Sequence, residues 1–315
     1  MSQPSLTQDR PLFGMGMMLV YCAVAPMIDA FAKLAASEHP VGQITAARFL
    51  VQGALLLPIA LVLRQNLVAN WRDAGLIFLR GILTLAATFA FVWAVSIMPL
   101  ADALAITFVE PFIILFLGWA LFGEEVGPRR IIAAIVGFLG VLLVVRPGLL
   151  AFGPAALLPL AAGFFFACYM LVTRALRRYQ PVALQASTAV AALSVALPLL
   201  LLFDGSGPDI LGGALDPVMP KGIMWLWLAG VGVAATLSHQ GLTLALRLAP
   251  SATLAPLAYL ELAFSTLVGF VVFGDFPAPM VWLGIVVIVA AGLYLIHRER
   301  VNLRKPALPG DPTAL

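Results

Sequence analysis

Glu110 and Glu261 are the residues whose type and setting most call for a chemical explanation, because each carboxyl falls near the middle of a long apolar run. A charge at a bilayer centre costs at least about 2.5–3.5 kcal/mol on insertion scales. Such an acid lines a solute cavity, carries a proton, or accepts backbone hydrogen bonds from a broken neighbouring helix. The plain alternative is a structural acid capped by Ser, Thr or backbone donors. Pro111 follows Glu110 and cannot donate to the carbonyl of Thr107, while Pro256 leaves the carbonyl of Ala252 unpaired. Both runs are therefore expected to kink or unwind, and carbonyls freed beside a cavity are ready ligands for a solute or cation.

Further polar groups interrupt the apolar runs. Asp29 and Lys33 are four apart on one helical face, where a carboxylate and an ammonium neutralise each other, with Lys33 toward the outer mouth. Arg48 and Gln52, also four apart, present a planar guanidinium suited to a carboxylate of the solute or of Asp29. His239 and Gln240 lie mid-run, where an imidazole relays protons, donates to a ligand or bonds a neighbouring helix. Trp93, Tyr169, Tyr259 and Tyr21 fall inside runs, able to stack on a flat solute or simply to pack. Arg80 reads as an anchor reaching cytoplasmic headgroups, and Arg174 as an anchor or inner gate. The solute-binding candidates are thus Asp29, Lys33, Arg48, Gln52, Trp93, Glu110, Tyr169, His239, Gln240, Tyr259 and Glu261. No Walker loop, dinucleotide glycine fingerprint, metal cluster or nucleophile constellation is found, so no catalytic residue, metal or cofactor is expected.

The elements that must position these groups are helices in lipid. Of 315 residues, 62% are hydrophobic and 10% charged, against roughly 25% charged in soluble proteins. Apolar runs long enough to cross about 30 Å of hydrocarbon recur throughout, near 12–36, 41–63, 74–98, 100–121, 130–146, 155–176, 181–203, 222–247, 252–273 and 278–297. The sequence therefore reads as an all-α integral membrane protein of ten transmembrane helices. Thirteen Lys and Arg residues, from Arg10 and Arg64 to Arg304 and Lys305, fall on one side of these spans, and only Arg146 and Lys221 on the other. That asymmetry predicts an inner-membrane protein with both termini and the 298–315 tail cytoplasmic. The basic residues are scattered through short loops, which excludes a nucleic-acid-binding block. Ala23-Val24-Ala25 mimics a signal-peptidase site but is expected to stay uncleaved, with Pro26 directly after it. Cys22 and Cys168 lie in apolar runs and read as small buried hydrophobes.

A shift of 151 positions overlays Pro99, Glu110, Gly118 and Gly123 on Pro250, Glu261, Gly269 and Gly274. Earlier in the chain a shift of 141 pairs Lys33 with Arg174 and Pro40 with Pro181. The chain is therefore expected to hold two halves, 12–146 and 155–297, each of five spans. An odd number of spans per half makes the second copy inverted, an arrangement that recurs in alternating-access transporters.

Met27-Ile28-Asp29-Ala30-Phe31-Ala32-Lys33, Leu79-Arg80-Gly81, Met98-Pro99-Leu100-Ala101-Asp102, Phe108-Val109-Glu110-Pro111, Phe122-Gly123-Glu124 and Val145-Arg146-Pro147-Gly148 together resemble the EamA-type branch of the drug/metabolite transporter superfamily. The resemblance covers nearly residues 12 to 297 and is stronger in the first half, since Leu262 replaces the proline after the matched Glu and Asp275 replaces the loop Glu. It implies ten helices, cytoplasmic termini and a solute cavity between the halves, with no single solute fixed. The expected function is secondary transport, by alternating access, of an amino acid or similar zwitterionic or aromatic solute. The alternative is uptake of a cofactor-like metabolite such as riboflavin or S-adenosylmethionine. A membrane-embedded enzyme or a scaffold ranks below both. The expected partners are a small-molecule solute and the bilayer, with proton coupling through a carboxylate open.

Overall fold

A computed structural model describes residues 10–98, 100–123, 127–144, 153–202, 213–274 and 279–304. Glu124, Arg146, Asp275, the Asp204 end of the long loop and the tail after residue 304 lie outside the described residues.

The chain is all-helical among the described residues, and its helices run α1 (Pro11–Ala35), α2 (Val41–Val62), α3 (Trp71–Ile97), α4 (Leu100–Thr107), α5 (Glu110–Phe122) and α6 (Pro128–Val144). The second half repeats this with α7 (Leu157–Ala175), α8 (Pro181–Leu202), α9 (Met224–Leu248), α10 (Ser251–Leu254), α11 (Leu260–Phe273) and α12 (Pro279–Arg304). Ten spans result, because α4 with α5 and α10 with α11 each form one broken span. Local chemistry sets the boundaries. Pro11, Pro128, Pro181 and Pro279 open their helices, where the missing N–H has no partner to lose. Asn70 caps α3 by accepting from the backbone N of Asp73 at 2.9 Å. Gly123 and Gly274, at φ 61° and 75°, end α5 and α11 in the left-handed region, at positions 151 apart.

Packing shows the inverted repeat helix by helix. The most extensive contact is α1 with α9, and its counterpart is α3 with α7; α2 packs on α8 and α6 on α12, each helix on its own counterpart. Lipid offers no hydrophobic drive for helix association, so small residues that let backbones close up decide these contacts. A Cβ on Gly81 would stand 2.7 Å from the Cβ of Ala191, and Gly232, 151 positions on, packs the same way against Val51. Ala191 and Val51 are 140 apart, as are Pro58 and Pro198 inside α2 and α8. Register 140 therefore relates α2 to α8, one less than the Pro40 and Pro181 match predicts. Between α1 and α7 the 141 shift does align the buried faces, as with Met18, Tyr21 and Ala35 against Pro159, Ala162 and Leu176.

The bundle has two ends. At the Arg10 end, the backbone N of Arg10 donates to Leu248 O at 2.7 Å, and the α2–α3 connection meets the start of α8. At the His39 end, Gln43 brackets the α8–α9 connection, donating to Val218 O at 2.6 Å and accepting from Val218 N at 2.9 Å.

Candidate functional site

Both broken spans open where the prolines require. α4 stops at Thr107 and α5 restarts at Glu110, while α10 passes through a tight turn at Ala255–Leu257 before α11 starts at Leu260. The opposite half covers each break with a small residue. Gly163 of α7 presses its backbone against the Thr107 carbonyl, where a Cβ would stand 2.7 Å from the oxygen. Cys22 of α1 points its thiol at Leu257 O, 3.5 Å away. Restarting the helices at Glu110 and at Leu260, next to Glu261, turns both acids into the space between the halves.

That space is a cavity of about 100 Å³ walled by Tyr21, Asp29, Arg48, Thr88, Phe91, Phe108, Glu110, Phe166, His239 and Glu261 among others. Its wall comes from the later halves of α1 and α3 and the early part of α7, so it lies toward the His39 end. Arg48 is its organising cation. Its guanidinium donates to the Thr88 hydroxyl and meets Nε2 of His239 at 2.8 Å, and its Nε has no partner among the described residues. Thr88 and His239 are 151 apart, so Arg48 bridges equivalent positions of the two halves. Three carboxyl groups thus share a cavity with one guanidinium, beside a wall of rings in which Tyr21 stacks on Phe166 at 6.2 Å.

Of the residues singled out by sequence, Asp29, Arg48, Glu110, His239 and Glu261 gather here. The others lie elsewhere. Lys33 makes no ion pair with Asp29 among the described residues; its ammonium sits over the Phe273 ring, 4.8 Å from the centroid. A long side chain near the end of α1 reaches along the helix to an electron-rich face, which leaves Asp29 to the cavity and corrects the expected pair. Gln52 lies below the cavity and donates to Gln185 at 3.0 Å. Trp93 packs edge-on against Phe89 at 5.6 Å. Among the described residues the side-chain nitrogen of Gln240 has no partner, and neither does the buried hydroxyl of Tyr259, whose ring packs on Gly137 and Phe108. Thr88, Phe91, Phe108 and Phe166 were not singled out; for Thr88 the 151 shift from His239 is the signal that finds it.

Arg80 corrects the anchor expectation most clearly. It is fully buried, and its guanidinium is held by neutral acceptors. Nε donates to the Thr173 hydroxyl at 2.8 Å, and Nη2 donates to the Tyr169 hydroxyl at 2.8 Å and that of Thr243 at 3.2 Å. Nη1 donates to Leu184 O at 3.4 Å and to the Thr188 hydroxyl. The Tyr169 ring lies 4.5 Å from the guanidinium carbon. With α7, α8 and α9 supplying this many acceptors at its own depth, the side chain has no need to reach headgroups. Arg174 is likewise buried, with Nη1 donating to Leu246 O at 2.9 Å. Gln185 ties this plug to the cavity, reaching Thr243 Oγ1 at 2.6 Å and the backbone carbonyl of His239 at 2.9 Å. The plug lies toward the Arg10 end and floors the cavity.

A bundle of ten spans in two inverted halves around a polar axial cavity defines a multi-pass membrane transporter. The chain belongs to the EamA-like transporter family, whose sequence profile matches it twice, over residues 12–146 and 153–297. Similar proteins include a riboflavin transporter of Vibrio cholerae serotype O1, 27% identical over 95% of this chain and 97% of the relative. A riboflavin transporter of Rhizobium johnstonii is 31% identical over 69% of this chain and 68% of its own length. An S-adenosylmethionine uptake transporter of Rickettsia felis is 23% identical over 92% and 94%. A crystal structure of 21% identity superposes with a TM-score of 0.71 over 94% of this chain and 98% of that one, which supports the fold.

Proposed function

We propose that the chain is a secondary carrier for a flat, cofactor-like metabolite of the riboflavin type, working by alternating access between its two halves. The observation that carries this reading is the pairing, in one axial cavity, of an aromatic wall with Arg48 and the carboxyl groups. Rings stack on a tricyclic solute, and a guanidinium fork holds two acceptor oxygens at its edge. The names of the similar proteins support a cofactor-like solute over the amino acid expected from sequence, which is set aside. Three carboxyl groups against one guanidinium favour a second reading, a cationic solute of the S-adenosylmethionine type. At about 100 Å³ the cavity is smaller than the roughly 300 Å³ or more of a pocket for a molecule of this size. Loading the solute therefore requires the cavity to widen.

Proteoliposomes with labelled riboflavin, S-adenosylmethionine and an amino-acid panel test the reading. Saturable riboflavin flux, competed by flavin analogues, is expected. Flux of amino acids alone, or of nothing, contradicts it. Comparing Glu110→Gln with the wild type under an imposed pH gradient tests proton coupling: coupled carriage predicts gradient-driven accumulation in the wild type alone.

A further inference from the structure

The repeat registers assign every cavity residue a counterpart, and the counterparts fall into two sets. Tyr21 and Ala162, Thr88 and His239, and Glu110 and Glu261 are pairs whose two members both line the cavity, so they lie near the pseudo-twofold axis. Off the axis, five of the cavity residues, Ile28, Ala32, Arg48, Val92 and Val231, correspond to Tyr169, Thr173, Thr188, Thr243 and Arg80, while others such as Asp29, Phe91 and Leu104 correspond to the apolar Met170, Leu242 and Ala255. The first five counterparts are Arg80 and the hydroxyls that hold it.

In an inverted repeat, exchanging the conformations of the halves turns one facing state into the other, so residues that seal one state line the cavity of the next. We propose that Arg80, Tyr169, Thr173, Thr188 and Thr243 form the solute-facing wall of a second binding station, uncovered when the cavity opens toward the Arg10 end. The inference deepens the carrier reading and rests on it. The ligand chemistry follows from the donors. Parting α3 from α7 and α8 strips Arg80 of every acceptor but Thr243 of α9, and a buried guanidinium left unsatisfied is costly. A solute edge with two acceptor oxygens, such as an imide or a carboxylate, replaces them in the fork geometry. The cavity has carboxyl groups beside Arg48, whereas Arg80 touches no carboxylate among the described residues, so the second station is the more anion-like in preference. A separate observation agrees. Tyr259 is the counterpart of the cavity residue Phe108, and its hydroxyl, buried and without a partner in this state, gains water or solute once that position becomes cavity wall.

Single cysteines in a Cys22→Ala, Cys168→Ala background, reconstituted and labelled with a membrane-impermeant maleimide, test the exchange without reference to any solute. Val92→Cys is expected to react only from the His39 face and Thr243→Cys only from the Arg10 face. A Thr243→Cys protein that labels from the same face as Val92→Cys, or never labels while Val92→Cys does, overturns the proposal. Arg80→Lys then tests the ligand role. The half-saturation for counterflow from the Arg10 face is expected to rise about tenfold, for riboflavin if the imide edge is held and for S-adenosylmethionine if a carboxylate is, with the His39 face changed less than twofold. Equal changes on both faces, or none, remove Arg80 as a ligand. Absence of wild-type flux for both solutes sinks the carrier reading instead, while the labelling result stands on its own.

Discussion

The two ends of the bundle use the same repeat positions and fill them with opposite chemistry. Toward the Arg10 end those positions hold a guanidinium and four hydroxyls in a closed hydrogen-bond network. Toward the His39 end their counterparts Ile28, Ala32, Val92 and Val231 pack with Val41, Ile44 and Leu228 in an apolar cluster, and Arg48 alone is charged. In the alternating-access carrier we propose, the backbone symmetry lets the halves trade conformations, while the side-chain asymmetry makes the seals unequal. Closing the Arg10 end forms directional bonds that leave no donor of Arg80 unsatisfied; the His39 end has the contacts of Gln43 with Val218 but at these positions brings together mainly apolar surfaces, which lipid and protein solvate alike. Solute binding must then offset a real difference between the two facing states.

The strongest way to break this contrast is Val231→Arg, which places a guanidinium opposite Arg80's position without the hydroxyls that satisfy it. Transport is expected to fall more than about 100-fold, with lower yield of folded protein, at the roughly 2.5–3.5 kcal/mol cost of an unpaired charge in a span. Initial uptake rates per folded carrier measure it. Arg48→Ala removes the cation of the cavity and is expected to lower uptake per folded carrier about 100-fold, in line with the roughly 2–5 kcal/mol lost when one partner of a buried charged binding contact is truncated. Gly232→Ala sharpens the packing side of the comparison. With Val51 directly against it, the added methyl is expected to cost about 1–3 kcal/mol, whereas Gly269→Ala, facing open space, changes the melting temperature little. Asp73→Asn should matter least. Asp73 is itself buried and also accepts from the Tyr179 hydroxyl at 2.7 Å, its ion-pair partner Arg178 is 60% exposed, and none of the three lines the cavity. The effect on uptake per folded carrier is therefore expected to stay within about twofold, with any loss seen in the melting temperature instead.

Much of the architecture was legible in the residues. Hydropathy marked the spans, and the ordered Pro, Glu and Gly matches exposed the repeat. Pro111 and Pro256 located the two broken spans, because a missing N–H has a fixed consequence for the carbonyl four residues earlier. Side-chain destinations were harder. Position along a span suggests that Arg80 snorkels, but its acceptors come from α7, α8 and α9, more than eighty residues away in sequence. Asp29 and Lys33 share a face by spacing, yet Phe273 of another helix takes the ammonium. Thr173, Thr188 and Thr243 read as ordinary span residues, since a hydroxyl can satisfy itself on its own helix; only the neighbouring guanidinium gives them a joint role. The match of Pro40 with Pro181 shifts the α2 and α8 register by one position, which hides the correspondence between Arg48 and Thr188.

The central claim is that the halves exchange conformations about the axial cavity, and distances at both ends measured on one protein test it most directly. Spin labels at Glu38→Cys and Lys221→Cys report the His39 end, and labels at Asn66→Cys and Ala175→Cys report the Arg10 end, in the cysteine-free background. On adding riboflavin or S-adenosylmethionine, the account predicts two distance populations at each end, with one end closing as the other opens. Distances that stay fixed at both ends under a solute the carrier moves, or that widen together, would contradict it.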